Sequence, residues 1–442
     1  MRYFNFFILY AIPYIALYLY RDKKGINLFR VNVSNLLMLF YFLANHIGLA
    51  WLFINTDGVK QLNEINQDAV ILLAFYSIVV VFAYIFSGLT LGRRFCDVRI
   101  PDVRALYDEK INFIPIIIFV LIAIPISALK VLSDSPLLIL LSGNPIEANF
   151  SRKEAVTIGS SFLNIKESYV NIIYKILGYG LVIIMVMALT KKRVKYIAIY
   201  AFIFFITSAY WFSNVSKGFI VEPIYSLIFT YALLFNKGRL LNKMLIIGII
   251  IVASVVSIFT SWVMGNSTVD YWYPFERFLL GNLIPQYVVI NSFDFDNLLY
   301  GASTPNWYSF WSHEQFRIDI FAWKEIFGWS GGELFYSAPS SFVAEAHANF
   351  HIFGVIIWTF VIFYVFRLTD FLIKKIKSEM VYISILVYSS INLTYISISP
   401  AAGIFFDYYY IGVLIFALYI YPLFGHRLNL NKKYNYSPQR TL

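Results

Sequence analysis

The chain has little charge and almost no cysteine. Charged residues make up 14% of its 442 positions, and Cys96 is the single cysteine. One thiol excludes an internal disulfide and any site built from several thiolates. The sequence also lacks the GxxxxGK[ST] loop, a GxGxxG turn opening a helix, and a GxSxG elbow. Their absence argues against an ATP-driven pump, an enzyme using nucleotide sugars and a hydrolase of the elbow type. Driving force would then come with the substrate or from an ion gradient. No repeat of fixed period is visible, which excludes solenoids. No inverted repeat is visible either, which disfavours common secondary-transporter designs. Short alternating segments of the kind that build a membrane barrel are missing too.

What is present is apolar surface in long runs. Hydrophobic residues make up 60% of the chain, and the mean hydropathy is +0.68. Runs of about 20 apolar residues are long enough to cross a hydrocarbon core as helices. Backbone groups find no water there, so each run must pair its own backbone. The expected fold is all-α: one polytopic transmembrane helical bundle over 1–442. Eleven spans are expected, near 3–20, 31–54, 68–91, 112–132, 169–189, 196–213, 219–235, 244–263, 346–366, 380–397 and 404–423. The first run, Tyr3 to Tyr20, is read as a retained span and not a removable signal.

The formal net charge is +10, but its placement argues against nucleic acid as a partner. Alternate links between spans carry 24 of the 35 Lys and Arg residues, and the other links carry 8. This bias predicts a cytoplasmic C-terminus and an N-terminus on the outer face. It also puts the two long links, 133–168 and 265–345, outside. Within the first, SPLLILLSGNP is too short to span and is read as an interfacial or dipping segment.

The stretch 265–345 is the longest polar part of the chain. It holds five of the nine tryptophans. Trp307, Trp311 and Trp323 are candidates for stacking on sugar faces, although aromatic belts at membrane interfaces draw on the same residues. Arg277 and Arg317 have the planar fork that clamps phosphate oxygens. Arg152 in the first outer link and Lys217 in a tight outer turn add two more cations. Each of these has a plain alternative as a solvated or snorkelling charge. Glu345 and His347 are candidates for a general base, and His313 is a further candidate catalytic group. His347 and His351 would share a helical face, but HANFH is not the HExxH zinc pattern, so no metal is expected. Glu222 and Pro223 lie a turn inside the following span.

Two stretches carry a resemblance. SNVSKGFIVEPIYSLIF combines small residues, a cation and an apolar span. SAPSSFVAEAHANFHIFGVIIW closes the large link with an acid and a Gly-containing helix entry. Arg317 and Gly328 enclose ten residues, a spacing found in loop motifs of the same family. Together with the layout of spans, these resemble the O-antigen polymerase (Wzy) family of bacterial inner-membrane proteins. The O-antigen ligases share the architecture. Where the family has Arg in the mid-chain turn, this chain has Lys217.

The resemblance implies a GT-C-like helical bundle with two sizeable periplasmic loops. It also implies a lipid-linked oligosaccharide glycosyltransferase. Repeat units on undecaprenyl pyrophosphate would be joined at the periplasmic face of the inner membrane, and undecaprenyl pyrophosphate would leave. In that scheme Arg152, Lys217, Arg277 and Arg317 bind pyrophosphate, and Glu345 or His347 takes the proton. The tryptophans orient the sugars. No cofactor is implied, the bilayer and the lipid-linked oligosaccharide are partners, and a chain-length regulator is a further one. The alternatives are a flippase for the lipid-linked unit and the ligase.

Overall fold

The computed structural model describes residues 2–20, 28–55, 62, 64–109, 113–132, 136–144, 167–213, 218–240, 280–303, 315–328, 338, 340–397 and 408–420, with single positions at 243, 247, 250, 254 and 258. Among these the fold is helical, with an isolated bridge between Arg30 and Arg239. In chain order the helices are α1 (Arg2–Tyr20), α2 (Val33–Tyr41), α3 (Leu49–Ile54), α4 (Gln67–Leu91), α5 (Arg93–Cys96), α6 (Val103–Asp108), α7 (Ile114–Leu132) and α8 (Pro136–Leu141). They continue as α9 (Glu167–Lys191), α10 (Val194–Ser213), α11 (Gly218–Phe235), α12 (Leu283–Ser292), α13 (Ile318–Phe327), α14 (Phe342–Lys374), α15 (Glu379–Thr394) and α16 (Tyr408–Ile415). A π-turn over Phe42–His46 joins α2 towards α3.

Among the described residues six segments are long and apolar enough to cross a membrane: Arg2–Tyr20, Val33–Ile54, Gln67–Leu91, Ile172–Lys191, Phe342–Lys374 and Glu379–Ser397. Shorter apolar helices cover Ile114–Ala128, Val194–Ser208, Glu222–Phe235 and Tyr410–Ile420. Ten of the eleven expected spans therefore coincide with a helix, though only six reach full span length by this measure. The span expected at 244–263 lies almost wholly outside the described residues.

Polar caps fix several helix starts. The Asn32 side chain accepts from the Asn35 amide at the head of α2, and Ser378 accepts from Val381 at the head of α15. Asp102 accepts from Arg104 and Ala105 at α6. Each cap satisfies an amide that the helix cannot pair itself.

The centre of the bundle is α4 against α14. Small residues on α4, among them Ala74, Ser77, Ala83, Ser87 and Gly88, are buried and let the backbones come close. The two helices run parallel: Tyr76 meets His347, Tyr84 meets Phe363, and Thr90 meets the Tyr364 hydroxyl at 2.6 Å. The segment Glu379–Ser397 is almost wholly enclosed, whereas α1 lies at the periphery. The α1 exterior is greasy, with Phe4, Tyr18 and Leu19 exposed, as expected of a lipid-facing helix.

Cross-links between elements sort the links into two ends. At one end, Val31 N–H donates to the Gly238 carbonyl (2.9 Å) and Lys191 to the Glu109 carbonyl (3.0 Å). There Arg99 pairs with Glu379 and Lys374 donates to the Asp97 carbonyl (2.7 Å). This is the end that gathers the basic links. At the other end, Asn66 at the head of α4 binds Asn291 at the tail of α12 (2.8 Å).

The long polar stretch is not simply a loop. It contains α12 and α13, and α12 is buried from Leu283 to Ile290. α12 packs back over the heads of α4 and α14, and α13 packs on α12. LIPQYVVI is apolar apart from Gln286, and a short helix of that kind must be covered.

Candidate functional site

The cap over the bundle converges on a break in α14. Backbone angles leave the helical region at Phe350 (φ −143°, ψ 21°) and His351 (φ 50°, ψ −142°). The helix is thus two rods, 342–349 and 352–374. A break frees carbonyls that a continuous helix would pair. The turn from the polar stretch takes them: Leu299 N–H donates to the Ala348 carbonyl (2.9 Å) and Tyr300 N–H to that of Asn349 (3.2 Å). Gly301, at φ +92°, donates to Asn349 Oδ1 (2.8 Å). Gly354 lets the rods approach, since a Cβ there would sit 2.2 Å from the Ala346 carbonyl oxygen.

Glu345 stands in the first turn of the short rod, 4% exposed. A carboxylate is favoured there by the helix dipole. Its Oε1 accepts from the Ser303 hydroxyl (3.0 Å), and Ser303 Oγ in turn accepts from Asn349 Nδ2 (2.7 Å). Gln315 Nε2 donates to the Ser303 carbonyl (3.0 Å), and Phe316 N–H to that of Ala302 (2.8 Å). One acid is therefore held by three stretches far apart in sequence: 299–303, 315–316 and the short rod.

His347 is fully buried and doubly engaged. Its Nε2 lies 2.9 Å from the Phe293 carbonyl and its Nδ1 lies 2.7 Å from the Tyr76 hydroxyl. A carbonyl only accepts, so Nε2 carries the hydrogen and Nδ1 accepts from Tyr76. That ring ties α14 to α4 and to the end of α12. In this arrangement neither nitrogen is left for an incoming proton, and Glu345 is the better placed of the two candidate bases. His351 stacks on Phe295 (centroids 3.9 Å apart) and lies 4.4 Å from the His347 ring, brought there by the break instead of by helical spacing.

Arg317 precedes α13 and closes its fork on Asp319: Nε to Oδ1 is 2.9 Å and Nη2 to Oδ2 is 2.7 Å. That contact holds the guanidinium still more firmly protonated than usual. A diphosphate would have to displace the carboxylate to use the fork. Trp323, on α13, stacks on Phe327 with centroids 3.8 Å apart, so one face of the indole is already covered. His313, Arg152, Lys217, Arg277, Trp307 and Trp311 lie outside the described residues. Among the described residues no group of three His, Cys, Asp or Glu side chains is placed to hold a metal ion.

Sequence reasoning did not single out Ser303, Asn349 or Tyr76, which hold the acid and the imidazole. It also gave no role to a second polar centre. A cavity of ≈ 100 Å³ opens between α9, α10, α11 and α15. Lys175 Nζ reaches Asn392 Oδ1 at 3.2 Å and stands 3.9 Å from Glu222 Oε1. Lys175 in the middle of an apolar run was the available signal. Compared with family models, with curated proteins and with solved structures, the chain matches none.

Proposed function

We propose that the protein is a membrane glycosyltransferase that joins lipid-linked oligosaccharide repeat units into a surface polysaccharide such as O-antigen. The observation that carries the reading is the buried, oriented Glu345 on an interrupted helix, under a cap supplied by α12 and the turn 293–303. Interrupted helices are a recurrent setting for polar-substrate sites in membrane proteins. The basic links collect at the opposite end, which fits a cytoplasmic face there and a periplasmic cap.

In this scheme a hydroxyl of the acceptor unit attacks the anomeric carbon of the chain held on undecaprenyl pyrophosphate. Glu345 takes the hydroxyl proton as the new C–O bond forms. The bond from the anomeric carbon to the diphosphate oxygen breaks, and undecaprenyl pyrophosphate leaves with the electron pair. Arg317, after exchanging Asp319 for phosphate, stabilises that charge, together with Arg152, Lys217 and Arg277. His347 is a positioning residue that fixes the short rod. Trp307, Trp311 and Trp323 orient sugars. A chain-length regulator would act as a partner at the cap.

The test is a gel of surface polysaccharide from a strain in which the gene is disrupted. Single repeat units on lipid A core, without long chains, are expected. Complete absence of single-unit product would overturn the reading. Glu345→Gln in the intact chain should reproduce the loss of long chains, with extension slowed about 10²- to 10⁴-fold, as for removal of a general base. A flippase is the second reading, favoured by the charged cavity among apolar helices, and it predicts that no unit reaches the core. A ligase predicts the same on the core, with polymer accumulating on the lipid carrier.

A further inference from the structure

The cavity between α9, α10, α11 and α15 carries chemistry that the cap does not. Its charged pair sits within apolar helices, Lys175 in the span Ile172–Lys191 and Glu222 in Glu222–Phe235. Ionisable groups on apolar helices are costly to keep and are usually retained for a ligand or a path. At 3.9 Å the Lys175–Glu222 separation is too long for a direct hydrogen bond. Lys175 spends one donor on Asn392 and has two more. Among the described residues Glu222 has no closer polar partner. A group inserted between them would have to accept from the ammonium and donate to the carboxylate, which is what a hydroxyl does. A phosphate would satisfy Lys175 and be repelled by Glu222. Tyrosines, among them Tyr388, and the hydroxyl residues Thr207 and Ser226 also line the space. Flat apolar rings beside hydroxyls and one charged pair suit the faces and edges of a pyranose.

We propose that this cavity is a binding site for a neutral, polyhydroxylated ligand, a sugar residue, held by a hydroxyl bridging Lys175 and Glu222. It lies towards the capped end of the bundle: Lys175 is in the first half of α9, Glu222 in the first turns of α11 and Asn392 near the end of α15. If the polymerase reading holds, the site would receive a sugar of a lipid-linked unit next to the cap. The binding claim stands without that reading, because it is tested without polymerisation.

The experiment follows thermal unfolding of the full-length protein in a detergent without a sugar head group. The probes are free hexoses, deoxyhexoses and N-acetylhexosamines, with inorganic diphosphate as the anionic comparison. Ligands that bind only the native state raise the unfolding temperature in a saturable way. At least one sugar should do so in the natural sequence. Half-saturation should weaken about tenfold or more in Glu222→Gln and in Lys175→Met, the size expected for losing a charge-assisted hydrogen bond. The unfolding temperature of each variant without ligand reports whether it folds. If Lys175→Met does not fold, the isosteric Glu222→Gln decides alone. Equal shifts in the natural sequence and in Glu222→Gln would signify general stabilisation by excluded solute and would overturn the proposal. So would a saturable shift with diphosphate only, or no shift with any sugar. A failed polysaccharide gel with intact sugar binding would overturn the polymerase and leave this site standing.

Discussion

Asp370 and Arg367 show how this protein keeps charge inside an apolar bundle. The Asp370 carboxylate accepts from the amides of Val33 (2.8 Å) and Ser34 (3.1 Å) and from the Ser34 hydroxyl, so it caps α2 from across the bundle. Arg367, fully buried, lies over the Tyr84 ring (4.7 Å) and reaches Asn35 Oδ1 (3.4 Å). Removing the Asp370 carboxylate would leave the buried amides of Val33 and Ser34 without their acceptor. Asp370→Ala should therefore cost about 1–3 kcal/mol, read as a drop in unfolding temperature and membrane-inserted yield. Conservative substitution of the exposed Arg317–Asp319 pair should be near neutral for stability.

Cys96 gives a chemical check on the same end of the fold. It is buried, and burial pushes its thiol pKa above the ordinary value. A raised thiol pKa means less thiolate at any given pH, and the thiolate is the reactive form. Maleimide should label the native protein slowly at neutral pH, faster as pH rises, and completely after denaturation in detergent. Rapid labelling at neutral pH would contradict the packing of α5 against α14. The tie from His347 to Tyr76 and the Phe293 carbonyl was beyond sequence reading for a simple reason. A buried imidazole and a catalytic one look alike until their partners are seen.

The break in α14 is the element on which the candidate site depends. No proline marks it, so hydropathy alone reads 346–366 as one continuous span. It is made possible from outside, by Leu299 and Tyr300 pairing carbonyls it frees and by Gly301 donating to the Asn349 side chain. A left-handed His351 costs about 1–3 kcal/mol, a strain that packed surroundings must hold in place. Gly354→Ala would drive a methyl into the Ala346 carbonyl and the Phe350 Cβ. It should destabilise the protein by about 1–3 kcal/mol, as overpacking does. On the polymerase reading it should also shorten the polysaccharide chains by tilting the rod that bears Glu345. Normal unfolding temperature with normal chain length would show that the two rods tolerate a different junction. The same external logic explains α12, whose largely apolar sequence is too short for a span and is used as a lid on α4 and α14.

Taken whole, the molecule has two unlike ends. Basic links and small capping helices gather at one; α12, α13 and the turn 293–303 gather at the other. Single cysteines placed at exposed Asp296 and Lys377, in a Cys96→Ala background, should report opposite compartments. An impermeant maleimide should reach Asp296→Cys in intact spheroplasts and Lys377→Cys only after permeabilisation. Labelling of both, or the reverse order, would remove the periplasmic cap.

The run lengths and the placement of Lys and Arg were enough to predict a helical fold with segments of membrane-spanning length and a charge-divided pair of ends. Both follow from local quantities, apolar length and loop charge, that the bilayer reads one segment at a time. Which residues hold Glu345, where α14 breaks and how Lys175 comes to face Glu222 across a cavity are contacts between stretches tens to hundreds of residues apart. No local pattern encodes them, because each arises from the packing of helices whose apolar faces are nearly interchangeable.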